Sequence, residues 1–249
     1  MYFQQWKEYF ELNQTHFAQI NFSKTDLFCI QEQKLYTASL QQFQRGEYSE
    51  GKHLLRYAKQ YGDPCYTDAI KLFIKEEQNH AMVLGKFLDK HEIPHIKDHW
   101  VDAVFRFMRK LSGIENTIAV LLVAEIISKV YYRALQQATS SEILQAICEQ
   151  ILKDEEKHLH FQCTTLKLMQ SKSSSIAKWL KAVYIKTVLI GTIIVVWKYH
   201  RTVLQNGGHS FTSFYEQNQQ ILSELLQMIK GQKEIPSALE TIKKKLLSA

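Results

Sequence analysis

Two short stretches carry residues that could do chemistry. "KEEQNHAMVLGKFLDKH" (75–91) and "KDEEKHLHF" (153–161) both place an acid, a glutamate and, three residues later, a histidine in that order. The residues are Glu76, Glu77 and His80 in one stretch, and Asp154, Glu155 and His158 in the other. On a helix, positions i and i+3 share a face. The glutamate can then bridge two cations while the histidine nitrogen binds one. The preceding acid also has a role, because a ligating histidine usually donates its other N–H to a carboxylate that fixes its tautomer. Across facing helices, Asp154 would hold His80 and Glu76 would hold His158.

The spacing is more frequent than composition explains. Chance places roughly 0.7 Glu-x-x-His pairs in such a chain, and roughly 0.07 with the extra leading acid. Four pairs occur: Glu50/His53, Glu77/His80, Glu92/His95 and Glu155/His158. Two of them carry the extra acid. Glu92/His95 spans Pro94 and falls in a helix break.

Two further ligands follow from register. Residues equidistant from the turn of an antiparallel hairpin sit at equal depth. Glu125 precedes Glu155 by 155 − 125 = 30, about a turn at "TSSE", and Glu47 precedes Glu77 by 77 − 47 = 30, about a turn at "YGDP". Glu50, at 77 − 50 = 27, is the rival on the same seam and a candidate neighbour of the site.

The elements that must position these groups are helices. Only 3 Pro and 9 Gly interrupt 249 residues, so the expectation is all-α. The breakers predict helix A over about 25–61, helix B from Pro64 to about His91, and helix C to about Ala138 with a bend near Gly113. Helix D is predicted from Glu142 to about Ser171, helix E to about Asn206, then a helix over about 211–230 and a short one after Pro236. Helices A to D each show an apolar seam with an acid, or an acid and a histidine, in its middle: Leu40-Phe43-Glu47 on A, Ile74-Glu77-His80-Leu84 on B, Leu121-Glu125-Ser128 on C, Ile151-Glu155-His158 on D. A buried carboxylate is costly unless it is paired or bound to metal.

A Glu from each of two helices and a Glu-x-x-His from each of two others resembles the ferritin-like di-iron carboxylate proteins. "RGEYS" around Glu47 is similar to the Gly-Glu-Tyr stretch holding the first iron ligand in bacterial multicomponent monooxygenases. The resemblance implies a ferritin-like four-helix bundle over about 25–171, with extra C-terminal helices over about 175–249 in the same single domain (1–249). It implies that Glu47, Glu77 and His80 hold one iron and Glu125, Glu155 and His158 the other, with Glu77 and Glu155 bridging. Where those monooxygenases often carry a hydroxyl residue one turn after the helix C glutamate, this chain has Lys129, beside Ser128.

Two histidines with four carboxylates suit two iron ions, with manganese or a mixed iron/manganese pair in reserve, better than zinc or copper(I). The implied activity is dioxygen activation to hydroxylate, desaturate or N-oxygenate an organic small molecule. Phe43, Ile118, Leu121 and Leu122 would make the lining apolar. Such enzymes draw electrons from a reductase or ferredoxin. The alternative is iron or peroxide handling, as in ferritin-like ferroxidases and rubrerythrins.

Other features read more plainly. The net charge of +6 is spread, with Lys243–Lys245 the one tight cluster and no nucleic-acid motif. Cys29, Cys65, Cys148 and Cys163 form no Cys-x-x-Cys pair, which suits a cytoplasmic protein, and a homodimer is compatible with the sequence. The N-terminal stretch lacks a signal pattern. The run from Thr187 to Trp197 falls short of the roughly 20 residues of a transmembrane helix and reads as a buried helix. A basic scaffold or membrane-surface helix built on Lys178, Lys181, Lys186, Lys198 and Arg201 is the third function class. His53 and His160 read as ordinary polar residues, Glu115 as too far along its helix to ligate, and Tyr48, Tyr131 and Tyr132 as packing.

Overall fold

A computed structural model describes residues 2–48, 51–97 and 113–238. Among them the chain is all helical: α1 (Tyr2–Leu12), α2 (Ile30–Glu47), α3 (Lys52–Tyr61), α4 (Pro64–Lys90), α5 (Gly113–Ala138), α6 (Glu142–Met169), α7 (Ser175–Asn206) and α8 (Phe211–Ile229). Glu50, the N-terminal part of helix C and the short helix expected after Pro236 lie outside the described residues.

Local chemistry sets the helix starts. Asp63 accepts from the Tyr66 amide at 2.9 Å with Pro64 opening α4, and Ser141 accepts from the Leu144 amide at 2.9 Å to open α6. Ser174 and Ser210 cap α7 and α8 in the same way.

α5 and α6 form the central hairpin. Both bury residues almost all round, which marks helices enclosed by others. α4 packs on α6 and receives α1, α2 and α3. α7 lies on α5 and α2, and α8 closes the end against α5, α6 and α7.

Two expectations are corrected, and one helix that was not expected is added. Helix A is two helices, broken right after Glu47. Gly51 there has φ of +63°, and a Cβ on it would run into the Ile74 side chain, so the chain turns tightly against α4. α1 carried no expectation at all, yet it buries Phe3, Trp6, Tyr9 and Phe10 on one stripe. Burying a ring of that size is worth about 1.5–3 kcal/mol, enough to hold a short helix down.

The second correction concerns the apolar run. α7 buries Ile185, Leu189, Ile193 and Val196, but its opposite face is in solvent. By length and composition α7 is long and apolar enough to cross a membrane. Its most apolar 18-residue window has a mean hydropathy of 1.8 and is 28% buried. Counting only between Lys186 and Lys198 hid this, because single lysines barely dilute the average.

Candidate metal centre

The four helices α2, α4, α5 and α6 bring Glu47, Glu77, His80, Glu125, Glu155 and His158 into two overlapping groups. One is Glu47, Glu77, His80 and Glu155; the other is Glu77, Glu125, Glu155 and His158. Within each group, one potential ligand atom per residue lies within 4.8 Å of all the others. Glu77 and Glu155 belong to both, which is the position of a bridging carboxylate.

Both histidines point the same way. His80 Nδ1 lies 3.8 Å from Glu77 and 3.9 Å from Glu155, while its Nε2 meets Asp154 Oδ2 at 3.2 Å. His158 Nδ1 lies 3.0 Å from Glu77, 3.4 Å from Glu125 and 3.6 Å from Glu155, and its Nε2 is 3.8 Å from Glu76 Oε2. Each imidazole thus has one nitrogen facing the carboxylates and the other facing the acid that precedes the opposite Glu-x-x-His. Burial is nearly complete. The side chains of His80, His158 and Glu155 are wholly enclosed, and Glu77 is the most open at 16%.

The donor set fits cations. His80 Nδ1, His158 Nδ1, Glu77 Oε1 and both Glu155 oxygens are buried without a hydrogen bond of good geometry among the described residues. Such orphaned groups cost roughly 1–3 kcal/mol each, more when charged, and a metal between them would use every lone pair. Electrostatics agree. Burial, then repulsion from Glu77, pushes Glu47 up to about 8. Burial, then repulsion from Glu125, pushes Glu155 well above the carboxylate range. Burial opposes charge on His80, but Asp154 and Glu77 outweigh it and raise it to about 9. Burial also works against Glu125, where hydrogen bonding with Glu155 and the charge of His158 prevail and keep it low.

Neutral donors set the outer carboxylates. Tyr132 donates to Glu47 Oε1 at 2.6 Å and Gln162 Nε2 to Glu125 Oε1 at 2.9 Å, with Glu125 Oε2 left 3.4 Å from His158 Nδ1. Sequence reasoning missed these partners. It missed the N-terminal ones too. Asn13 donates to Asp154 Oδ1 at 2.9 Å and to Glu76 Oε1, and Gln150 donates to Asp154 Oδ1 at 2.9 Å. His16 Nε2 sits 3.2 Å from Asp154 Oδ2, forming with His80 a third group of ligating types. Because His80 Nε2 and His16 share Asp154, this group reads as a hydrogen-bonded buttress behind the site. The signal was available in the Phe3-Trp6-Phe10 spacing, which predicts a buried helix leading into Asn13.

Other candidates fall elsewhere. His160 is buried and held down to about 4 by that burial, and it belongs to no group. Glu115 pairs with Lys181 at 3.5 Å. His95 pairs with Asp89 at 2.8 Å, outside any helix, and Tyr48 is half exposed. Phe43 stacks on Tyr131 with ring centroids 3.4 Å apart, and Ser39 links Tyr131 (2.7 Å) to His200 on α7 (2.8 Å).

Comparison with family models, curated proteins and solved structures finds no match for this chain. What sequence and fold establish is an all-helical protein with a buried cluster of glutamate, histidine and aspartate that could hold metal.

Proposed function

We propose that the protein is a ferritin-like di-iron oxidoreductase that uses dioxygen to hydroxylate, desaturate or N-oxygenate an organic small molecule. The observation that carries this reading is the pair of overlapping groups sharing Glu77 and Glu155. A hard, oxygen-rich set with two imidazoles and no thiolate favours iron, or manganese in reserve. Two such ions supply reversible divalent–trivalent chemistry and the reduction of dioxygen.

The chain's own residues do the rest. Glu47 and His80 would bind one ion and Glu125 and His158 the other, with Glu77 and Glu155 between them. Asp154 and Glu76 orient the imidazoles. Tyr132 and Gln162 fix the outer carboxylates. Ile118 and Leu122, buried two turns and one turn before Glu125 on the same face of α5, would exclude water and favour an apolar substrate. Electrons would come from a reductase or ferredoxin.

Metal content per chain after anaerobic purification tests the centre. About two irons, lost in Glu77→Ala/Glu155→Ala, is the expected result; a folded protein that takes up no iron on reconstitution overturns it. Oxygen consumption with a chemical reductant then separates substrate oxidation from turnover on ferrous iron alone, which would favour the ferroxidase reading.

A further inference from the structure

α7 carries five basic residues, Lys178, Lys181, Lys186, Lys198 and Arg201, and no Asp or Glu, in a chain that has 25 acids. Its outer face is apolar. Ile176, Trp179 and Ile194 are 72%, 63% and 56% exposed, and Leu180 and Val183 lie between them in solvent. Positions 176, 180, 183, 187, 190 and 194 advance by three or four, so they form one line along the helix. At 1.5 Å per residue that line is roughly 27 Å long. Lys198 and Arg201 continue it, Lys186 flanks it, and Trp179 and Tyr199 stand towards its two ends. Soluble monomers rarely leave so long an apolar strip uncovered.

We infer that the outer face of α7 docks the protein onto an anionic lipid surface. An apolar strip edged by lysine and arginine, with aromatics near its ends, matches what interfacial helices present to acyl chains and headgroups. A second copy is a poor occupant, because pairing the outer faces would bring together two surfaces that each carry Lys186, Lys198 and Arg201 and no acid. Crossing the bilayer would strip Ile185, Leu189, Ile193 and Val196 from the core, so the helix lies along the surface. This inference does not depend on the metal centre.

The test is co-sedimentation of the full chain with phosphatidylcholine vesicles, with and without phosphatidylserine. The wild type should bind the phosphatidylserine vesicles and leave phosphatidylcholine alone largely unbound. Trp179→Gln/Ile194→Gln and Lys186→Glu/Lys198→Glu should each lower the partition coefficient by about tenfold. Helicity and metal content should stay unchanged, since all four side chains are exposed. Wild type that ignores anionic vesicles, or variants that bind as wild type does, overturns the inference. So does a dimer in light scattering that these substitutions dissociate, or an alkali-resistant association with cell membranes, which would mark a spanning helix.

Discussion

Asp154 on α6 reaches across to α4 and meets His80 Nε2 at 3.2 Å, while the other nitrogen of that imidazole faces Glu77 and Glu155. One aspartate therefore decides which histidine nitrogen is available to a metal. Asp154→Asn keeps the shape but removes the charge that favours this tautomer. The expected outcome is a 10–100-fold loss of iron affinity, roughly, with helicity retained. Glu76→Gln should cost less, because its approach to His158 is longer at 3.8 Å. Ferrous-ion titration of the metal-free protein checks both the loss and the order.

Without metal, the cluster should make the protein less stable as pH rises. Glu47 has its folded pKa raised to about 8 from an ordinary 4.5, and His80 is raised to about 9 from 6.5. A raised folded pKa means that the native state binds more protons than the unfolded chain between the two values. Stability is then full below the unfolded pKa and lost as pH climbs through the folded one. Both groups act in the same direction, so melting of metal-free protein should fall from about pH 6.5 to about pH 8, above the range in which His160, held down to about 4, acts the other way. Glu155→Gln should flatten that slope while abolishing iron binding. A metal-free melting temperature that rises over this range would contradict the electrostatic account of the site.

The 2.6 Å bond from Tyr132 to Glu47 orients the α2 carboxylate. Tyr132→Phe removes the donor and leaves the ring packed against Phe43. It should cost about 1–2 kcal/mol and loosen, not abolish, the ion held by Glu47 and His80. The sign of the role is a split between two ion-binding steps, with the ion near His80 weakened and the one near His158 unchanged. Equal weakening of both would mean that Tyr132 acts only through the fold.

The helical content and the buried glutamate–histidine cluster were legible in the sequence because they repeat. Four seams carried the same interruption, and the interval of 30 residues matched Glu47 to Glu77 and Glu125 to Glu155. The break after Glu47 was not legible, since Gly51 lies in a stretch that helix periodicity runs straight across. Its left-handed φ answers to Ile74, a contact between distant residues. α7 was misread for the opposite reason. Its composition is uniform, and only the packing of Leu189 and Ile193 against the core tells an inner face from an outer one. Glu50 lies outside the described residues, so its place beside the site stays a reading of the sequence.

Asn13 links the N-terminal segment to the candidate metal centre, donating to Glu76 and to Asp154 at the back of the histidines. Asn13→Ala would leave Glu76 Oε1 without this donor and Asp154 Oδ1 with Gln150 alone. The expected cost is about 1–3 kcal/mol, together with weaker iron binding. Removing residues 2–12 should do more, since Phe10 also packs within 6.1 Å of the His158 ring. If the shortened chain still binds two irons as tightly, the N-terminal helix is ballast for the core only.

At the far end of α7, Gly207 lies against the backbone of Ala134 on α5 so closely that no Cβ fits between them. A methyl group there must push α7 off the central hairpin, and backbone cannot rotate aside as a side chain can. Gly207→Ala should therefore destabilise the protein by about 1–3 kcal/mol, a fall of at least roughly 2 °C in Tm. Gly191, in the middle of the same helix with open space around it, is the matched control. Gly191→Ala should raise stability by about 0.5–1 kcal/mol through helix propensity alone. Thermal melts of the two variants side by side separate a close helix contact from a general aversion to change in α7; a neutral Gly207→Ala would show that α5 and α7 are not in contact at that corner.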